Sequence, residues 1–106
     1  MDKEQVRQIV RDYAKAVTDQ MSVNSIVLYG SYAREDNKNT SDIDVAIIVS
    51  RESISKDILN HMAKLFRIAY DFSDDIEPVL LIDGEDKSGF QEHILSYGEV
   101  IYSKAS

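Results

Sequence analysis

The chain has 106 residues, 12 of them Lys or Arg and 19 Asp or Glu, for a formal net charge of −7. That length holds one domain with one core, and 43% hydrophobic residues with four glycines and one proline exclude a disordered chain. The acidic balance excludes tight general binding to duplex nucleic acid, which needs many Lys/Arg–phosphate contacts.

The absence of cysteine removes any disulfide framework or thiolate zinc site. Val45 to Val49, the longest unbroken apolar run, is far too short to span a bilayer. Met1-Asp2-Lys3-Glu4 leads directly into a charged segment rather than a secretory signal. A cytoplasmic chain without membrane association is therefore expected. An acidic protein of this kind still binds a nucleoside triphosphate if divalent cations sit between its carboxylates and the phosphates.

In chain order, Val6, Ile9, Val10, Tyr13, Ala14, Val17 and Met21 recur at steps of three and four. They predict a helix from about Lys3 to about Gln20 with one apolar stripe. Ser25 to Tyr29 is a short apolar run stopped by Gly30 and predicts a buried strand. From Ser31 through Ala33, Arg34, Glu35, Asp36, Asn37, Lys38, Asn39 and Thr40 a polar loop follows, with room for a short helical turn opening at Ser31.

Ile43 to Val49 is a strand rich in β-branched residues. Ser53 or Ser55 is placed to cap a second long helix with the stripe Ile58, Met62, Leu65, Phe66 and Ala69. Ile76 to Ile82 is a strand whose Pro78 assigns it to a sheet edge. Ser88-Gly89-Phe90-Gln91 has the spacing of a capping box for a short helix to Tyr97. Gly98 stops that helix, and Val100 to Tyr102 form a last short strand. No internal repeat, linker or low-complexity tract interrupts the order. The fold class is α/β (α+β): a small mixed sheet with helices packed on it.

Aspartate is depleted in strands, and an unpaired buried carboxylate is costly. Asp44 nevertheless sits between Ile43 and Val45 in the most apolar strand, with Asp42 two residues earlier. Alternation puts both on one face, roughly 6.5–7 Å apart along the strand. A divalent cation between them reverses their repulsion, and the all-oxygen donor set favours Mg²⁺ or Mn²⁺ over zinc. Taken alone, the Ser41-Asp42-Ile43-Asp44 string fits equally well a strand cap with Asp44 facing water.

Gly30-Ser31 directly after the preceding strand changes that balance. Glycine lets the backbone approach an anion, Ser31 adds an amide and a hydroxyl, and Arg34 lies one helical turn on. For Arg34 a solvated surface role fits nearly as well.

Together, Gly30-Ser31-Tyr32-Ala33-Arg34 and Ser41-Asp42-Ile43-Asp44-Val45 resemble the signature of the DNA polymerase β-like nucleotidyltransferase superfamily. Within it the chain is similar to the minimal nucleotidyltransferases (MNT), which are of this length. The resemblance implies that Gly30 and Ser31 bind the triphosphate and that Asp42 and Asp44 are metal ligands. It also implies a third carboxylate after the following helix, which Glu77 matches best and for which Asp75, on the same strand face, competes. Two Mg²⁺ ions are implied, with Mn²⁺ the alternative; His61 and His93 are expected on helix surfaces without a catalytic part.

The implied activity is transfer of AMP from ATP to a hydroxyl on a protein partner, a HEPN-domain toxin for which the MNT chain is the antitoxin. Two rivals stand beside it. One is a non-catalytic module that neutralises a partner by covering it. The other is nucleotidyl transfer to a small molecule such as an aminoglycoside, whose enzymes carry a further helical domain.

Overall fold

A computed structural model describes residues 2–34, 42–54 and 57–104. Helix α1 spans Lys3–Gln20, and its N-terminus carries a capping box: Asp2 accepts from the Gln5 amide while the Gln5 side chain accepts from the Asp2 amide. Its stripe buries Val6, Val10, Tyr13, Ala14 and Val17, with Ile9 and Met21 partly buried beside them. The order continues as β1 (Ser25–Tyr29), α2 (Ser31–Arg34), β2 (Ile43–Val49), a 3₁₀ turn (Arg51–Ser53), α3 (Ile58–Tyr70), β3 (Ile76–Ile82), α4 (Phe90–Tyr97) and β4 (Glu99–Ser103). No helix of the described residues is long and apolar enough to cross a membrane.

The four strands form one mixed sheet in the order β3-β2-β1-β4. β1 pairs antiparallel with both β2 and β4, and β2 pairs parallel with β3. β3 lies at an edge, in keeping with Pro78: this residue is the ladder partner of Val45, and the proline removes one amide from the strand.

One sheet face carries Ile26, Leu28, Val45, Ile47 and Val49, packed with the stripes of α1 and α3 and with Tyr32 of α2. The buried Tyr13 hydroxyl donates to the Leu65 carbonyl at 3.0 Å, tying α1 to α3 without leaving a polar atom unpaired. Each large apolar side chain buried here contributes roughly 1.5–3 kcal/mol over exposure. The other face has a much smaller cluster, Val27, Ala46, Ile48 and Ile94, flanked by Tyr29 and Leu81. Among the described residues only α4 supplies a helix residue to that cluster, so they cover this face lightly.

Three local expectations need correction. Helix α3 is capped by Asp57, whose carboxylate accepts from the Asn60 amide at 3.0 Å, whereas Ser53 lies in the 3₁₀ turn with its hydroxyl against Ser50. Ser55, the other proposed cap, lies outside the described residues. On α3 the buried residues are Leu65, Ile68 and Ala69; Ile58, at the helix start, is 40% exposed.

At α4 the Ser88 box does not form. The Gln91 amide donates to the Asp86 carboxylate at 2.6 Å, while the Ser88 hydroxyl accepts from the Phe90 amide. An ionised carboxylate is a stronger acceptor than a hydroxyl and takes the orphan amide of the first turn.

Candidate active site

The acidic residues gather where β1 ends and β2 and β3 begin. In the antiparallel ladder Tyr29 lies opposite Asp44, and in the parallel ladder Asp44 lies beside Glu77. Neighbours in register share a sheet face, so Tyr29, Asp44 and Glu77 stand in a row on the lightly covered side. Asp42, two residues before Asp44 and just ahead of the strand, is exposed.

Gly30 sits at the corner of this row with φ +73, a conformation glycine adopts without penalty. A Cβ built on it would lie 2.0 Å from Asp44 Oδ2. The Asp44 carboxylate is therefore wedged against the Gly30 bend, and only a residue without a side chain fits there. Ser31 opens α2 as expected, and the Arg34 amide closes the turn onto the Gly30 carbonyl at 3.1 Å.

Electrostatics mark the same point. Burial pushes the Asp44 carboxyl above its ordinary pKa, and the negative charges of Asp42 and Glu77 push it the same way, against a smaller pull from Arg34. The Tyr29 phenol is pushed up to about 12, chiefly by burial and then by Asp44. Among the described residues, Asp42, Asp44 and Glu77 make no side-chain hydrogen bond or ion pair.

The candidate third carboxylates are separated by this geometry. Glu77 is the ladder neighbour of Asp44 and acts on its charge, whereas Asp75 lies before the strand, exposed, and is not among the groups that perturb Asp44. His61 and His93 both lie on helices; His61 bonds the Asp57 carbonyl, and His93 packs against the Tyr97 ring.

The donor chemistry suits a hard divalent cation: three carboxylates, no Cys or His, and a half-buried Asp44 whose charge is opposed by its neighbours. The three are not drawn together into a ready cage, since no group of three possible ligands converges among the described residues. Mutually repelling carboxylates stand apart until a cation offsets the repulsion.

Two residues of this neighbourhood were not read from the sequence. Tyr29 was taken only as the end of a strand, although its parity with Val27 already put it on one face with Asp44 once β1 and β2 pair. Tyr97 reaches the bend from α4: its hydroxyl accepts from the Gly30 amide at 3.0 Å, and Arg34 Nη1 lies 3.4 Å from the same oxygen. No local pattern marks a contact across 67 positions.

Comparison with known proteins agrees with the geometry. Two proteins of Methanocaldococcus jannaschii, each named "Putative protein adenylyltransferase", are 44% and 40% identical to this chain over 43 residues, or 41% of it. The match spans only 44% and 50% of the length of those relatives.

The crystal structure of a "putative nucleotidyltransferase" from Sulfolobus solfataricus superposes with a TM-score of 0.75 at 15% identity, covering 98% of this chain and 86% of that one. A toxin–antitoxin crystal structure with AMP-PNP superposes with a TM-score of 0.60 at 16% identity, covering 98% of this chain and 75% of that one. At such identities these structures speak for the fold alone. The family described as "Polymerase beta, Nucleotidyltransferase" matches residues 11–106. Because that stretch is most of the chain and contains the glycine bend, Asp42, Asp44 and the whole sheet, the chain belongs to the polymerase beta nucleotidyltransferase family.

Proposed function

We propose that this chain is a minimal nucleotidyltransferase that moves AMP from ATP onto a hydroxyl of a protein partner. The observation that carries the reading is the Asp44 carboxylate set against the Gly30 bend, in the field of Asp42 and Glu77. A strand carboxylate left without a hydrogen bond at such a bend is costly in an apo protein and useful beside a metal–triphosphate complex.

Asp42, Asp44 and Glu77 would hold Mg²⁺, or Mn²⁺ in its place. Bound there, the metal supplies charge neutralisation on the phosphates and a lowered pKa for the attacking hydroxyl. Gly30, Ser31 and Arg34 would orient the triphosphate through amide, hydroxyl and guanidinium donors. The acceptor oxygen bonds to the α-phosphorus, and the bond from that phosphorus to the bridging oxygen of pyrophosphate breaks. The acceptor proton would pass to Glu77, which is exposed, provided its carboxylate is not fully occupied by metal.

A protein acceptor is supported by the site's place on a sheet face whose core cluster, among the described residues, takes a helix side chain only from α4. The names of the adenylyltransferase relatives support the same choice. The partner we propose is a HEPN-domain toxin, neutralised in the cytoplasm by this chain as antitoxin. Incubating the chain with labelled ATP, Mg²⁺ and the product of the adjacent open reading frame is expected to label that product. Absence of label with all four nucleoside triphosphates overturns the proposal.

A further inference from the structure

Gly30 is buried, and a buried amide must find an acceptor. Its acceptor is the phenol oxygen of Tyr97 at 3.0 Å, and Arg34 Nη1 approaches that same oxygen at 3.4 Å. The Arg34 guanidinium carbon also lies 5.5 Å from the centre of the Tyr97 ring, within cation–π range. One oxygen thus takes a backbone amide and a guanidinium, the two donor types with which proteins hold a phosphate oxygen.

The helix that delivers Tyr97 has a small apolar anchor. Of the eight residues of α4 only Ile94 is buried; the first turn is held by an edge-to-face contact between Phe90 and Tyr29, with ring centres 5.6 Å apart, and by Gln91, which bonds Asp86 and Asp83. Tyr97 itself is half-buried at the end of that helix, beside the site rather than in the core.

We infer that Tyr97 is a positioning residue of the nucleotide site, its hydroxyl standing in the free chain where a phosphate oxygen of the nucleoside triphosphate binds. The inference rests on the functional reading above and adds the residue that sets how tightly nucleotide is taken. To reach the Gly30 amide and Arg34, the triphosphate displaces the phenol. The ring moves off the bend, and the two donors exchange one oxygen for another. Nucleotide affinity is then lowered by the bonds that Tyr97 gives up.

The test is Tyr97→Phe, which keeps the ring and its contact with Arg34 while removing the competing oxygen. Titration with Mg²⁺ and each nucleoside triphosphate is expected to show the variant binding roughly two- to tenfold more tightly, the scale of one neutral hydrogen bond. A merely structural tyrosine would lower the melting temperature and leave the dissociation constant where it was. Equal or weaker binding by the folded variant overturns the inference while leaving the functional reading intact; failure of the wild-type chain to bind any of the four nucleotides overturns both.

Nuclear magnetic resonance of the wild-type chain gives a second measurement that needs no variant. The Gly30 amide and the Tyr97 ring signals are expected to move together as nucleotide is added. Movement of the Gly30 amide with the Tyr97 ring unchanged overturns the inference.

Discussion

Where β3 ends, every acidic side chain has a partner. Asp83 accepts from Asn24 Nδ2 at 3.2 Å and from Gln91 Nε2 at 2.7 Å. Glu85 pairs with the Arg51 guanidinium, and Asp86 takes the amides of Ser88 and Gln91. Arg51 holds Glu85 below its ordinary pKa, and Ser88 does most to lower that of Asp86.

Where β3 begins, Glu77 stands beside Asp44 and near Asp42, with the Asp44 carboxyl shifted the opposite way. Both ends use the same residue types at the tips of the same strands. The difference is that one end spends its carboxylates on holding loops and a helix start, while the other keeps them available at some cost to folding. A carboxylate kept in the field of its like-charged neighbours fits the ligand role proposed for it above.

The comparison breaks most sharply on activity. Asp44→Asn is expected to lower the rate of nucleotidyl transfer at least about a hundredfold, as when one preorganised charge-stabilising group is removed. Asp86→Asn, at the far end, is expected to leave the rate within about twofold. Measuring AMP incorporation by both variants under saturating ATP and Mg²⁺ checks the pair. Equal losses would mean that both act through folding rather than chemistry.

A smaller effect separates two glycines that also lie at opposite ends. Gly30 has φ +73 with the Asp44 carboxylate in the space of its missing side chain; Gly84 has φ +78 with nothing within 4 Å. Alanine at either position pays left-handed backbone strain of about 1 kcal/mol. At Gly30 the displaced carboxylate adds to it, for a total of about 2–3 kcal/mol. Denaturant unfolding is expected to rank Gly30→Ala below Gly84→Ala, and only Gly30→Ala is expected to lose transfer activity in the fraction that remains folded.

How much of this was legible beforehand depends on how local each signal is. Asp44 inside an apolar strand and Gly30 at a strand end are properties of a few consecutive residues, so both stood out in the sequence, as did the edge position that Pro78 dictates. The choice between Glu77 and Asp75 was not, because parity puts both on one face and only the register of β3 on β2 decides which lies beside Asp44.

The caps misled for a different reason. Serines at plausible spacing were chosen for α3 and α4, but the carboxylates of Asp57 and Asp86 took the amides instead. Tyr97 was invisible because its role arises only when α4 packs against the end of β1.

The smallest effect concerns pH and sharpens the comparison by its sign. The Asp44 pKa is raised in the folded chain above its ordinary 3.8, so the folded state holds that proton more strongly than the unfolded state does. Stability therefore falls as pH rises from below 3.8 through the folded value, and the loss is complete above it. Asp86 is the mirror case: its pKa is lowered from 3.8, so its contribution is present above that value and lost as pH falls through the lower one.

Asp44→Asn is thus expected to stabilise the metal-free chain at pH 7, by less than about 1 kcal/mol once solvent screening of a half-exposed group is allowed for. Asp86→Asn is expected to destabilise it. Both differences shrink towards zero in acid, and thermal unfolding across pH 3–8 reads them directly. Added Mg²⁺ with ATP is expected to reverse the first difference by stabilising only the chain that binds it. If Asp44→Asn proved less stable than wild type at pH 7 without metal, the strand-start carboxylates would be structural like those at the far end, and the contrast between the two ends would be lost.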